Sequence, residues 1–290
     1  MSKFDFTFVT YKDLPELDPD DRLALDFLKK EGFKCNYADW RDSGIDWSEA
    51  GFCVLRSTWD YHLYYEEFLK FCRDRKDQLV NECSLVEWNA DKVYLLELEQ
   101  KGIEIVPTIM ALKGAPLEEL PPPEWKTVIV KPTIGLATYG VKKFSLPKHI
   151  DEYRVHMRNL CQKGAVLIQK FMPNVLEYGE RSLMYFNGEF SHCARKSAFQ
   201  ALAEAGGAGE TSVTASTLEV AFGHKVLNTL VREPVYARVD IVPNDDGKPL
   251  LMELELVEPS LFLGFDNEAP SRFAEALKNR AYASNPGGRL

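Results

Sequence analysis

The sequence predicts a mixed α/β fold that becomes α+β toward its C-terminal part. Three observations carry this. Short apolar strands alternate with amphipathic helices through the first third, as in a mostly parallel sheet with helices packed on it. A strand, a glycine-containing turn and a second strand follow in the middle, and the last third holds two hairpins with strong turn chemistry. At 290 residues, 45% of them hydrophobic, the chain is long enough for more than one core.

In order, "FDFTFVT" (4–10) predicts the first strand. "PDDRLALDFLKKEG" (19–32) predicts a helix with acids early, lysines late and Gly32 as its stop. "GFCVLRS" (51–57) reads as a buried strand, "YYEEFLKFCRDR" (64–75) as an amphipathic helix, and "WNADKVYLLELEQKG" (88–102) as one capped helix before a strand beginning at "IEIVPT". The proline-rich 112–125 predicts a surface connection. A lid-like unit follows: strands at 127–132, 141–144 and 165–172 with a helix near 149–160. Asn187-Gly188 predicts a hairpin turn between "ERSLMYF" and "EFSHCARK". The small, Gly-rich 201–216 predicts a mobile loop, and a helix is expected around 215–231. "VYARVDIV" (235–242) and "PLLMELEL" (249–256) should pair across "PNDDGK".

Composition narrows the function. A net charge of −9 argues against broad nucleic-acid binding, which needs a basic surface. The six cysteines show neither Cys-x-x-Cys nor zinc spacing, so reduced buried thiols are expected. The five histidines form no triad or zinc spacing. No apolar run approaches the ~20 residues of a membrane span, and "MSKFDFTFVT" has no leader-like stretch, so the expected location is the cytoplasm.

The second hairpin carries the chemistry. Residues two apart on a strand share a face. With Asp240 opposite Glu253, Arg238 falls opposite Glu255, and Asp240, Glu253 and Glu255 line one face with one arginine. Oxygen-only ligands suit a hard cation, so this face resembles a Mg²⁺–nucleotide site, with Mn²⁺ as the alternative ion. A solvated edge hairpin and a glycosidase-like carboxylate pair are the competing readings. Lys131 ends an apolar strand, where a buried ammonium needs an anion. Gly135, Thr138, Tyr139 and Gly140 make a turn whose N–H groups can cover phosphates, although a plain hairpin loop reads the same way. Lys92 alone would be an ordinary surface lysine.

Taken together, the "NADK" lysine, the "VIVKP" lysine, the glycine turn, "ARVD" and "MELELVEP" resemble the ATP-grasp superfamily in order and spacing. The similarity covers roughly residues 85 to 265. "RSTWDYH", "WNADKVYLLELEQKGIEIVPT" and "YARVDIV…LMELELVEPSLFL" resemble its glutathione-synthetase-like branch, which includes the D-cycloserine-forming cyclo-ligase. The resemblance implies an N-terminal Rossmann-like α/β substrate domain over 1–88, a central lid over 89–170, a C-terminal ATP and magnesium part over 171–285, and a frayed tail at 286–290.

It also implies roles. Lys92 and Lys131 contact ATP phosphates, and Gly135, Thr138 and Gly140 belong to the loop over them. Gln169, Lys170, Phe171 and Met172 form the adenine hinge, and Glu177 or Glu180 takes the ribose hydroxyls. Arg238 stabilises the transferring phosphoryl group, with Lys131 the second catalytic cation. Asp240, Glu253 and Glu255 hold Mg²⁺. Glu255 stands where many members have Asn, adding a negative charge. The activity implied is ATP-dependent ligation of a carboxylate to an amine, or a similar nucleophile, through an acyl-phosphate, on a small amino-acid-like substrate, with a homodimer as the assembly the resemblance suggests. A nucleotide-binding regulator without turnover is the alternative, and a metal-dependent hydrolase a further one. For the substrates, Arg56 could clamp a carboxylate beside Ser57, Trp59, Asp60, Tyr61 and His62. Arg195, Lys196 and Ser260 are further candidates. An interior corner is the competing reading of "RSTWDYH".

Overall fold

The computed structural model describes residues 2–114, 121–136, 138–197 and 209–284. Strands β1 (Phe6–Thr10), β2 (Cys35–Asp39) and β3 (Phe52–Leu55) form a parallel sheet in the order β2-β1-β3. Helix α1 (Pro19–Lys30) starts with Asp18 accepting from the Asp20 N–H and with proline in its first turn. Helix α2 (Tyr65–Asp74) covers the other face, where Phe68, Leu69 and Cys72 meet Val9, Cys53 and Leu55.

The expected single helix over 88–102 is two: α3 (Cys83–Asn89) and α4 (Tyr94–Gln100). The chain breaks because the Asp91 carboxylate accepts from the Val93 N–H and the Lys92 N–H donates to the Thr133 carbonyl. The strand expected from "IEIVPT" is delayed to β4 (Thr108–Ala111), Ile105 making only a bridge to Leu251.

β4, β5 (Thr127–Pro132), β6 (Lys142–Ser145) and β7 (Val166–Lys170) form an antiparallel sheet in the order β4-β7-β5-β6. Helix α5 (Ile150–Cys161) packs on it through Tyr153, Met157 and Leu160.

After the short helix α6 (Asn174–Glu177), a five-stranded antiparallel sheet runs β10-β9-β8-β11-β12. Its strands are β8 (Glu180–Phe186), β9 (Glu189–Lys196), β10 (Glu210–Val213), β11 (Tyr236–Pro243) and β12 (Pro249–Glu255). Asn187 and Gly188 both have positive φ, 47° and 74°, as a two-residue type I′ turn requires. Part of the expected mobile loop is β10, paired with β9; residues 198–208 lie outside the described residues, as does the expected tail at 286–290. Helix α7 (Thr217–Leu227) begins with a capping box of Ser216 and Glu219. It crosses β8 so closely that a Cβ at Gly223 would stand 2.0 Å from the Tyr185 hydroxyl.

The C-terminal helix α8 (Ala269–Ser284) locks the ends of the chain together. Its Phe273, Ala274 and Leu277 share one core with Phe6 and Phe8, Leu25 and Leu28 of α1, and Met184 and Phe186 of β8. All six cysteines are free, as expected from their spacing. Among the described residues no helix is long and apolar enough to cross a membrane.

Candidate active site

β11 and β12 pair with Arg238 opposite Glu255 and Asp240 opposite Glu253, the register their alternation implies, with a bulge just past Asp240. β11 is flanked by β8 on its other side. Its Asp240 is therefore 1% exposed, which excludes a solvated edge hairpin.

Cations hold this face together. Arg238 donates from Nε to Asp240 Oδ1 at 3.0 Å and from Nη2 to Oδ2 at 2.9 Å. Its Nη2 also donates to Glu255, and its Nη1 to the Ser260 carbonyl at 3.2 Å. Lys196 bridges Asp240 at 2.9 Å and Glu180 at 2.5 Å. Lys92 pairs with Glu253 at 3.1 Å and donates to the Gly135 carbonyl at 2.5 Å. Lys131 faces Glu253, Glu180 and Asp240, but among the described residues no acid pairs with it directly.

The electrostatics follow from burial and neighbours. Burial pushes the Asp240 carboxyl up, but Arg238 and Lys196 outweigh it and hold it well below the ordinary carboxylate range. Burial likewise opposes Lys92 and Lys131 at Glu253, and the lysines win. At Glu255 burial prevails over Arg238, and with Glu253 and Asp240 nearby the carboxyl is raised to about 7. Burial lowers the Lys131 ammonium, opposed by Glu253.

The strand bearing Glu253 and Glu255 lies at the sheet edge, yet its outer backbone groups are satisfied by side chains. Asn89 donates to the Leu254 carbonyl at 2.8 Å and accepts from the Leu256 N–H at 2.7 Å. The Tyr94 hydroxyl accepts from the Leu254 N–H at 3.0 Å, and Asn81 donates to the Leu256 carbonyl at 2.7 Å. No local pattern in the sequence points to Asn81 or Asn89.

Among the described residues no group of three or more His, Cys, Asp or Glu converges closely enough to hold a metal by itself. Lys92, Lys196 and Arg238 stand between the carboxylates. The donor set is nonetheless oxygen-only, with Asp240 buried and Glu253 and Glu255 partly exposed. It fits a hard cation whose remaining ligands come from phosphate and water.

The other candidates lie around this centre. Gln169 donates to the Thr108 hydroxyl at 2.9 Å. The Lys170 N–H goes to the Pro107 carbonyl and the Phe171 N–H to Thr127, with the Lys143 ammonium 4.7 Å from the Phe171 ring centroid. Met172 packs with Val106 and Val242, against which Leu250 and Met252 lie, an apolar wall of the kind a purine ring needs. Glu177 is exposed on α6, whereas Glu180 is tied to Lys196. Gly135 and Gly140 lie beside Pro132, where a Cβ at either would press on its ring at 3.0 Å, and the Thr138 carbonyl between them accepts from the Val141 N–H at 3.1 Å. Ala137, within this turn, lies outside the described residues.

Arg56 and Ser57 are engaged inside the protein. Arg56, 1% exposed, donates from Nε to Asp21 at 2.8 Å and from Nη2 to the Pro259 carbonyl, while Ser57 donates to Asp21 at 3.1 Å. Asp60 accepts from the Trp40 indole at 2.7 Å. Arg195 holds the carbonyls of Glu177 and Tyr178. The His62 ring lies 4.8 Å from that of Tyr139 in the glycine turn, joining "RSTWDYH" to it.

The sequence and fold have known relatives. Over 286 residues, 91% of this chain and 94% of the relative, the sequence is 30% identical to the cycloserine biosynthesis protein DcsG of Streptomyces lavendulae. The chain belongs to the DcsG family of ATP-grasp ligases. Residues 6–81 match the family model of the D-cycloserine synthetase DcsG N-terminal domain. The crystal structure of D-cycloserine synthetase DcsG superposes with a TM-score of 0.84 at 27% identity, over 95% of this chain and 99% of that one. The D-alanine–D-alanine ligase of Bacillus anthracis shares the fold, with a TM-score of 0.67 at 14% identity over 98% and 99% of the two chains. The ATP-grasp ligase PsnB, solved with minimal precursor, Mg and ADP, does so with a TM-score of 0.64 at 14% identity over 97% and 99%. This DcsG-family chain is thus an enzyme, an ATP-dependent ligase of the kind that forms C–N bonds.

Proposed function

We propose that the enzyme activates the carboxylate of a small amino-acid-like substrate as an acyl-phosphate, then joins it to a nitrogen nucleophile, releasing ADP and phosphate. The observation that carries this reading is one face with Arg238 and Asp240 buried and Glu253 and Glu255 partly exposed, with Lys92, Lys131 and Lys196 aimed at it. Phosphoryl transfer from ATP to a carboxylate must bring two anions together and bear the charge that develops. Lys92 and Lys131 take the nucleotide phosphates, and Arg238 stabilises the group in transfer. Lys196, already poised between Asp240 and Glu180, is the cation for the reacting carboxylate.

Asp240, Glu253 and Glu255 are the residues for Mg²⁺, with Mn²⁺ as substitute; the ion supplies charge neutralisation at the phosphates. The turn at Gly135, Thr138 and Gly140 shields the acyl-phosphate from water. Gln169, Lys170, Phe171 and Met172 line the purine site, and the exposed Glu177 is better placed than the ion-paired Glu180 for the ribose. Arg56 and Ser57 act through the Asp21 and Pro259 groups they hold, fixing the floor beside Ser260, while Asp60 is held by the Trp40 indole. The family relative is named for D-cycloserine, a ring closed through a carboxyl-to-nitrogen bond. That favours ring closure within one molecule over joining two.

The test is a screen of acid and amine pairs, and of linear amino acids bearing both groups, for ADP release, followed by the mass of the product. ADP together with a condensed product supports the reading. Tight ATP binding without turnover under every mixture overturns it.

A further inference from the structure

Glu258 has no part in the roles above. It follows β12, three residues past Glu255, and is 7% exposed. Among the described residues neither a hydrogen bond nor an ion pair reaches its carboxylate. The groups facing it come from four places: Glu255 on β12, Lys92 ahead of α4, Arg238 on β11 and Arg56 beyond β3. Lys92 and Arg238 are committed elsewhere and Arg56 largely so, its Nη1 alone being buried without a hydrogen-bond partner. Lys92 serves Glu253 and the Gly135 carbonyl; Arg238 serves Asp240, Glu255 and the Ser260 carbonyl; Arg56 serves Asp21 and the Pro259 carbonyl.

A buried carboxylate left without a counter-ion is costly, and a fold keeps one where something from outside supplies the charge. The place of Glu258 is not that of a loose loop. The Tyr236 hydroxyl holds the Val257 carbonyl at 2.9 Å, and Arg56 and Arg238 hold the carbonyls of Pro259 and Ser260. Tyr61, 3% exposed, stands on the N-terminal side, and after burial Glu258 is the strongest influence on its hydroxyl.

We infer that Glu258, with Tyr61 as its wall, is the subsite for an ammonium group of the small-molecule substrate. This rests on the ligase reading and names how that substrate is oriented. An ammonium suits one unpaired carboxylate, bringing three donors on one charge. A divalent ion needs several oxygen ligands, whereas the main groups acting on Glu258 are one carboxylate, Glu255, and three cations. Lys131 and Lys196 act on Glu253, Asp240, Glu180 and Glu255, whereas Glu258 is reached by Lys92 and Arg238 from the phosphate side and by Arg56 and Tyr61 from the N-terminal side.

The test compares wild type with Glu258→Gln in three measurements: thermal stability, calorimetric binding of D-cycloserine and of its N-acetyl derivative, and the Mg²⁺ requirement for nucleotide binding. The expected result is a variant at least as stable as wild type, because no internal partner is lost. Wild type should bind the free amine at least tenfold more tightly than the acetylated compound, and the variant should bind both equally. A variant melting several degrees lower overturns the inference, since Glu258 would then be structural. Equal affinity of wild type for the two probes, or binding of neither, overturns it as well. So does a changed Mg²⁺ requirement, which would make Glu258 a metal ligand. ADP release reports separately on the ligase reading: turnover whose amine dependence is unchanged in the variant sinks the subsite alone, and wild type without turnover sinks the ligase reading while the probe comparison stands.

Discussion

The Lys92 ammonium lies 3.1 Å from Glu253 Oε1 and 2.5 Å from the Gly135 carbonyl, tying the carboxylate strand to the glycine turn. Lys92→Met keeps the length of the side chain and removes the charge. Glu253 then loses its chief counter-ion. Because its carboxylate retains some solvent contact, the expected loss of stability is about 1–3 kcal/mol, less than for a fully buried pair. Denaturant unfolding reads it directly, and an unchanged midpoint would mean that the pair contributes nothing. ATP affinity should fall in the same variant.

The part of this site that is legible in the sequence is the part fixed by local rules. Period-two alternation and the Asn-Asp-Asp-Gly turn settle the pairing of Arg238 with Glu255 and of Asp240 with Glu253. What the sequence hides depends on distant partners. The break before Tyr94 needs Thr133, whose carbonyl takes the Lys92 N–H, and nothing near residue 92 announces it. β10 is polar and follows a glycine-rich stretch, so it reads as loop until β9 is there to pair with it. Helix α8 did carry a signal, Phe273, Leu277 and Ala281 at a helical interval, all fully buried. Glu258 was visible only as one more acid, because its isolation is a property of what surrounds it.

Asn89 replaces a neighbouring strand along β12, and alanine there would orphan the Leu254 carbonyl and the Leu256 N–H. Each buried group left unpaired costs about 1–3 kcal/mol. We expect Asn89→Ala to be among the more destabilising single changes in this region. Its melting temperature checks this, and Asn89→Asp should rescue only the bond to the Leu256 N–H.

His192 links stability to pH. Its Nε2 contacts the carbonyls of Leu261 at 2.8 Å and Phe262 at 3.0 Å, and must be the protonated nitrogen there. Burial lowers its pKa, outweighing those two bonds and Asp266, with Arg272 adding to the effect. The folded chain therefore binds a proton less readily than the unfolded one. Its contribution is complete above the ordinary histidine range near 6.5 and is lost as pH falls below it. His192→Gln keeps a donor without titrating, so the difference in melting temperature between wild type and variant should change between pH 7 and pH 5 in favour of the variant. A constant difference would contradict the assignment.

Arg238 meets Asp240 through two N–H groups and also reaches Glu255 and the Ser260 carbonyl. A lysine conserves the charge but cannot reproduce that fork. Arg238→Lys should lower turnover about 10²–10³-fold, the scale for losing one positioned transition-state donor. ATP affinity should change little. Parallel measurement of kcat and nucleotide Kd decides it, and equal losses in both would make Arg238 a nucleotide anchor.

Lys131 gives the opposite pattern. Its ammonium is desolvated, its pKa is pulled down by burial, and no acid pairs with it directly among the described residues. Removing such a group takes away a cost of folding rather than a bond. Lys131→Met should therefore leave the melting temperature unchanged or higher. Nucleotide affinity should fall about 10- to 100-fold, the equivalent of one charge-assisted hydrogen bond to phosphate. Titrating an ATP analogue into both proteins at matched Mg²⁺ tests this. A variant that loses stability but binds the analogue as wild type does would place Lys131 in the scaffold and remove it from the phosphate site.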